Sequence, residues 1–568
     1  MQSLHSARSR LNAVLDEYSQ ACLTLVNPTG SHPSINSLQD LSSYVSAESD
    51  AFASIKEKAM RIEATLLKAR NCLISVVPIN SLPDEVFARI FHLVLKAQST
   101  DFEELVDENS LRIKSLAVSQ VCARWRQVSL NCRSLWSHID LSTRDEVLSL
   151  GKCLASRSGD QPLSIRVVEP LKGWTNRDSR RALKVFISNV AQRLESLEMA
   201  CVLPPPSVVI PSFWFDILQS SISCATRQLN RLVLSVRNNN HVEYYNSSAH
   251  WFIDVEDDES EDDEAEPNTT RTGRTVVFQD ITRQDYDDIL LNVKVLWLDV
   301  VYPIWASKAY HGLTELRLIG PPRLTAIITP EELAKILAAS PGLRALHLGM
   351  EVRLTGTLPA PIRLDDLEVF LLQSLASATH QAILRLILPG RKPLQMGTTY
   401  EEMESELPAR HEDEFVRFFR RSNIVQLQIH SPTRMPPGSL IQLLPNIQTL
   451  IFRDAFIIAD DTTFPPPCIC PELSALHFIS CIMHLDCLLW LVSVKTIREV
   501  TIWESKIFEG ETDEERPAED FRHRLMEACP VIHFLDASDY ERTIKIEGWG
   551  EDIRDRIANA ENHNYAVE

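Results

Sequence analysis

The chain has 568 residues, with 57 Lys and Arg against 77 Asp and Glu for a net charge of −20, and 44% of its residues are hydrophobic. That length exceeds one compact core and points to several domains or an extended repeat, while the acidic balance excludes a general nucleic-acid binder. Apolar runs such as Leu488–Val492 are too short to span a bilayer, so no membrane partner is expected.

The N-terminus, M-Q-S-L-H-S-A-R-S-R, lacks an apolar signal core. Twelve cysteines are scattered from Cys22 to Cys529 without a framework spacing, which reads as free thiols in a reducing compartment. A cytoplasmic or nuclear location is the expectation. Leu11, Val14, Tyr18 and Leu25 form a loose helical stripe that Pro28 and Gly30 would end. Phe52, Ile55, Ala59, Ile62, Leu66, Ala69 and Leu73 then alternate at steps of three and four, a narrow coiled-coil-like seam. Residues 1–78 are therefore expected to form a helical hairpin or a short coiled coil, with weak self-association through Phe52–Leu73 as the sharper alternative.

Residues 79–141 carry the most specific pattern. Ser81 reads as an N-cap, Pro83 suits a first turn, and Asp84 with Glu85 match the positive end of the helix dipole. Val86, Phe87, Ile90, Phe91, Val94 and Leu95 make an apolar face. Leu116, Val118, Val121, Cys122, Trp125 and Val128 make another, with Arg124 and Arg126 flanking the tryptophan. Taken singly, each is ordinary helical core. In this order, however, Leu82-Pro83-Asp84-Glu85, then V-S-Q-V-C-A-R-W, then Ser134-Leu135-Trp136 resembles an F-box. That resemblance implies a small three-helix unit docking on the Skp-type adaptor, and through it the cullin, of a ubiquitin ligase. It places Leu82, Pro83, Ile90, Phe91, Val121, Cys122 and Trp125 against the adaptor. The segment departs from the family in the insert Ala97–Lys114, which carries Asp101, Glu103, Glu104, Asp107 and Glu108.

From residue 136 onward an apolar-x-x-apolar-x-apolar unit recurs twelve times, from Trp136/Ile139/Leu141 to Ile497/Val500/Ile502 and including Leu364/Leu367/Val369 and Ile383/Leu386/Leu388. The final two positions of each unit have the period of a strand with one buried face. Several units follow a short helix and a proline, as in E-E-L-A-K-I-L-A-A-S-P-G-L-R-A-L-H-L. This resembles the degenerate leucine-rich repeats that follow an F-box, although no asparagine stands after the strands and a non-solenoid α/β domain remains the alternative. The expected class is α/β with an α-helical N-terminal part. In it, residues 142–540 form a leucine-rich-repeat-like solenoid whose parallel sheet lines a concave face. Pleat alternation turns Trp297, Arg317, His347, Glu368, Arg385, Gln428, His477 and Thr501 toward a protein target on that face.

Within the repeats, the acidic stretch around Glu256–Glu266 makes 254–272 a disordered loop, in which Ser260 is a candidate phosphorylation site. A second polar insert spans Arg391–Glu414, and 541–568 is a tail. Cys468, Cys470, Cys481, His484 and Cys487 have the right chemistry for zinc but irregular spacing, so buried thiols and no metal or cofactor are expected. Phosphate-cradling glycine loops, G-x-S-x-G and H-E-x-x-H are absent, so catalysis is not expected. Together these features read as a substrate-recognition adaptor of a cullin–RING ligase with an unknown protein target. The alternative is a non-catalytic repeat scaffold whose F-box-like helices only cap the solenoid.

Overall fold

The computed structural model describes residues 2–26, 38–71, 78–97, 114–169, 177–203, 210–225, 228–238, 251–255, 274–279, 281–320, 327–354, 357–373, 377–399, 414–430, 434–435, 437–457, 472–492, 496–509, 516–529 and 531–535. They fall into two compact units, Met1–Ile90 with Val118–Val128, and Phe91–Ala117 with Ser129–Glu568.

In the first unit, the two expected N-terminal helices are Gln2–Val26 and Leu38–Asn71. Tyr18 stacks on Phe52 with ring centroids 5.8 Å apart, and its hydroxyl donates to Glu48 at 2.9 Å. The next helix begins later than expected. Pro78–Ser81 forms a 3-10 turn and the α-helix runs Asp84–Ala97. Pro83, not Ser81, plays the cap: its carbonyl accepts from Val86 and Phe87 at 3.1 Å, and its missing N–H costs nothing there. The second helical stretch is broken into Lys114–Gln120 and Ala123–Asn131. At the break, Cys122 acts as the N-cap, its Sγ accepting from the Trp125 amide at 3.4 Å. Residues 98–113, most of the acidic insert, lie outside the described residues.

In the second unit, the described residues form a 14-stranded sheet in which every strand pairs parallel with the next main strand along the chain. It runs from His138–Leu141 through Leu163–Glu169, Leu194–Leu203, Arg231–Asn238, Val295–Asp299, Glu315–Ile319 and Ala345–Gly349. It continues through Val369–Leu372, Leu394–Thr399, Ile424–His430, Thr449–Arg453, Ala475–Ile479, Glu499–Trp503 and Ile532–Leu535. One strand per repeat, joined by helices, is the architecture of a leucine-rich-repeat-like solenoid.

Ten of the twelve predicted units fall on these strands in register. Leu364/Leu367/Val369 is three residues early, since Phe370 and Leu372 pair with Leu346 and Leu348. Ile383 and Leu386 lie in the helix Ser377–Leu386, because two apolar residues three apart fit a helix as well as the repeat. Asp254 and Val255 end the strand Trp251–Val255, so the acidic loop cannot begin at 254; 256–272 lie outside the described residues.

The repeat connections have local causes. Thr329 and Glu332 form a capping box on the helix Pro330–Ala338, with Pro330 in the first turn. At its far end, buried Ser340 donates to the Tyr310 carbonyl at 2.7 Å and accepts from the Leu313 amide at 3.0 Å, stitching neighbouring repeats. Directly after their strands, Val300, Asp454, Ser480 and Glu504 have φ of 68°, 45°, 50° and 45°. At Asp454, Ser480 and Glu504 this left-handed corner turns the chain into a side sheet that includes Phe456–Ile457, Ile482–His484 and Lys506–Phe508, and at Val300 into Val301–Pro303, which pairs with Trp251–Val255 in a separate small sheet. Just past the corner, Cys481 Sγ donates to the Phe452 carbonyl at 3.4 Å and Ser505 Oγ to Phe478 at 3.4 Å. These side chains reach back to the preceding repeat, which supplies the cross-link that a repeat without asparagine otherwise lacks.

Candidate functional site

The two ends of the 82–125 motif lock together. Arg124 donates from Nη2 to the Leu82 carbonyl at 2.7 Å and to Asp84 at 3.3 Å, and its guanidinium lies 5.0 Å from the Phe87 ring centroid. Phe87 meets Trp125 edge to face at 5.8 Å. Phe87 is therefore the buried anchor, and Leu82-Pro83-Asp84 is held against Cys122-Ala123-Arg124-Trp125 by a charge-assisted bond to a carbonyl.

With that anchor inside, apolar groups remain outside. Val121 is 60% exposed at the helix break, and Val86, Leu93 and Val94 are exposed on Asp84–Ala97 at spacings that share a helix face. Pro83 is exposed, while Leu82, Ile90, Cys122 and Trp125 are half-buried. Phe91 departs from expectation: it is only 1% exposed, because one step around the helix from Ile90 places it beside Phe87 on the inward face. Sequence reasoning missed Arg124 as the clamp and Val86 and Leu93 as outward groups. The arginine beside the tryptophan was the available signal for the first.

Further along, Trp136 is fully buried, donates from Nε1 to the Ser129 carbonyl at 2.7 Å, and lies under Arg157 at 4.7 Å. The last F-box-like signal, Leu135-Trp136, thus leads directly into the first strand of the sheet.

Across the sheet, strand register aligns a single row of side chains. It reads Asp140, Arg166, Glu198, Val233, Trp297, Arg317, His347, Leu371, Gly397, Gln428, Ile451, His477, Thr501 and His533. Six of the eight predicted outward residues belong to it. Glu368 does not. It precedes its strand and accepts from Arg344 at 2.6 Å and Lys392 at 3.0 Å, which holds its carboxyl down at about 2. Arg385 does not either, being on the helix Ser377–Leu386. Both follow from the two misregistered units.

The row is not uniformly open. In its first part Asp140 is exposed, half-buried Arg166 and Glu198 form a 3.2 Å ion pair, and Val233 is buried. Trp297 is half-buried between Arg231 at 4.1 Å and Arg317 at 5.9 Å. Later in the row, His347, Gln428, His477 and Thr501 are buried rather than solvent-facing. On the same stretch Leu371, Ile451, Ile479 and Trp503 pack as an apolar cluster, with Val369 and Leu535 against it. Burial drives the His477 imidazole down to about 4, although Glu499 opposes the shift. The accessible contact surface therefore lies at the earlier end of the sheet, on Asp140, Arg166 and Glu198 of the row and on Arg231, two residues before the buried Val233 on the same strand; sequence patterning did not single these residues out.

In the cysteine-rich region the described thiols are Cys481 and Cys487. Burial raises the Cys481 and Cys487 thiols to about 12, and Cys481 donates to backbone carbonyls. Cys468 and Cys470 lie outside the described residues. Among the described residues no cluster of His, Cys, Asp and Glu could hold a metal ion, and no helix is long and apolar enough to cross a membrane.

A family model described as F-box-like matches residues 79–142. Among solved structures, the chain is similar to an internalin from Listeria monocytogenes at 11% identity and a TM-score of 0.25, over 59% of this chain and 90% of that one. No curated protein matches the chain. Residues 79–142 thus match the F-box-like family model, and the parallel sheet that begins within them is a leucine-rich-repeat-like solenoid.

Proposed function

We propose that the protein is a non-catalytic substrate-recognition adaptor of a cullin–RING ubiquitin ligase, binding a Skp-type adaptor through 79–142 and a protein target through the sheet. The observation that carries this reading is the apolar surface left by the F-box-like motif once Phe87 is anchored: Pro83, Val86 and Val121 stand exposed with Ile90 and Trp125 half-buried beside them in sequence pattern. Exposed apolar groups grouped on a short motif mark a contact surface. On the sheet, the Arg231–Trp297–Arg317 stack supplies the residue types that dominate protein interfaces. The linked arrangement would act by proximity, raising the effective concentration of a target near the ubiquitin donor.

A scaffold reading draws on the buried Trp136 and on His138–Leu141, which do close one edge of the sheet. Val86 and Val121 have no part in that closure and are what separate the two readings. Purified chain should bind a Skp-type adaptor in a pull-down, and Val86→Glu with Val121→Glu should weaken binding at least tenfold with an unchanged circular-dichroism spectrum. Wild-type protein that is folded yet fails to bind overturns the proposal in favour of the scaffold.

A further inference from the structure

The helix Leu38–Asn71 carries a second apolar surface, which the adaptor reading does not use. Phe52, Ile55, Ala59, Ile62, Leu66 and Ala69 follow alternating steps of three and four. Phe52, Ile55, Ile62 and Leu66 are between 39% and 55% exposed. A seam this narrow is unsuited to a globular core, which takes a wider stripe, and is the pattern of one helix pairing with another like it.

The neighbouring helix does not fill the seam. Gln2–Val26 meets it at one end, where Tyr18 touches Phe52 and Glu48. Its own Leu11, Val14 and Leu15 stay exposed. Glu48, which occupies the seam position one heptad before Ile55, accepts the Tyr18 hydroxyl, so the apolar strip begins at Phe52.

We infer that this seam is a homodimer interface, pairing with the same seam of a second copy in parallel and in register from Phe52 to Ala69. Charge sets the direction. With Phe52 at heptad position a, Lys56 and Glu63 take e and Lys58 takes g. In a parallel pair a g residue faces the e residue five positions on in the partner chain, so Lys58 of each copy meets Glu63 of the other, twice by symmetry. The antiparallel overlap of the whole seam instead sets Lys56 against Arg70 and Glu63 against itself, both like-charge pairs. The pattern therefore selects both the partner, a second copy, and its orientation. Fewer than three heptads pair weakly, so the dimer is reversible. It would present two F-box-like motifs and two sheets in one particle, giving avidity toward a multivalent target. It depends on neither adaptor binding nor target binding.

Sedimentation velocity on the full chain over a concentration series tests this. The wild type should show a monomer–dimer equilibrium, and Ile62→Glu with Leu66→Glu should weaken it at least a hundredfold. Lys58→Glu should weaken it several-fold and the addition of Glu63→Lys should restore it, while Ala59→Leu should tighten it by deepening the seam. Because these positions are exposed, helix content should be preserved in every variant. A wild type that stays monomeric throughout overturns the inference, as does a dimer indifferent to Ile62→Glu with Leu66→Glu. Failure of the double charge reversal to restore pairing overturns the parallel register.

Discussion

Arg124 does at residue scale what the F-box-like motif does as a pattern: it makes two short sequence signals into one object. Its bond to the Leu82 carbonyl is the part that matters energetically, since the contact with Asp84 involves a largely exposed carboxylate and adds little. Arg124→Ala should lower the stability of the 82–125 element by about 1–2 kcal/mol, read as faster hydrogen exchange of the Val86 and Phe87 amides; unchanged exchange would show the clamp to be incidental. Histidines give a second residue-scale test. Burial depresses His380, which sits 2.7 Å from Thr398, and His477, each to about 4. A histidine held below its unfolded value contributes its full share above about pH 6.5 and loses it progressively as pH falls toward 4. Stability should therefore drop between pH 7 and pH 5, by about 2 kcal/mol per histidine, measured as the urea midpoint; His380→Gln should remove part of that slope. The outward row was legible at this scale for Trp297 and Arg317, because period two tells direction. Whether a side chain is covered is not a property of its own strand, which is why His347, Gln428, His477 and Thr501 read as exposed and are buried.

At the scale of the element, the repeat is a strand, a one-residue corner and a short side strand. The strand was readable from Leu-x-x-Leu-x-Leu spacing, but the corner was not, since Val300, Asp454, Ser480 and Glu504 share a left-handed backbone and no residue type. Left-handed φ costs an L-residue roughly 1–2 kcal/mol and a glycine almost nothing. Ser480→Gly should therefore leave the urea midpoint unchanged or raise it, whereas Ser480→Val should lower it, a β-branched side chain being worst in that region. Equal effects from both would mean that the corner relaxes on substitution. The same limit explains the two misplaced units. Ile383 and Leu386 satisfy the repeat spacing from inside a helix, and only the neighbouring strand, Leu394–Thr399, reveals where the repeat lies. That strand and Leu163–Glu169 escaped notice because Pro393 and Pro162 stand where the template expects its first apolar residue, and Ile532–Leu535 because Cys529 stands there.

For the whole molecule, the order of modules was legible from 79–142 and the repeats behind it, but the boundary between them was not. The two signals overlap: Trp136 is the last residue of the F-box-like sequence pattern and the first of the first repeat, and His138–Leu141 falls within the 79–142 match while forming the first strand of the sheet. The sheet therefore starts inside the segment that a domain map would assign to its neighbour. An edge strand stripped of its partner exposes a row of unpaired amides and carbonyls and invites aggregation. A chain begun at residue 142 would lose His138–Leu141 and the Trp136 indole that Arg157 covers, leaving Leu163–Glu169 as a bare edge. One begun at residue 79 would keep both. The shorter chain is expected to aggregate and the longer one to stay soluble, compared by light scattering after purification. Equal solubility would mean that Leu163–Glu169 tolerates being an edge, and that the overlap of match and sheet is a coincidence of sequence rather than a shared structural element.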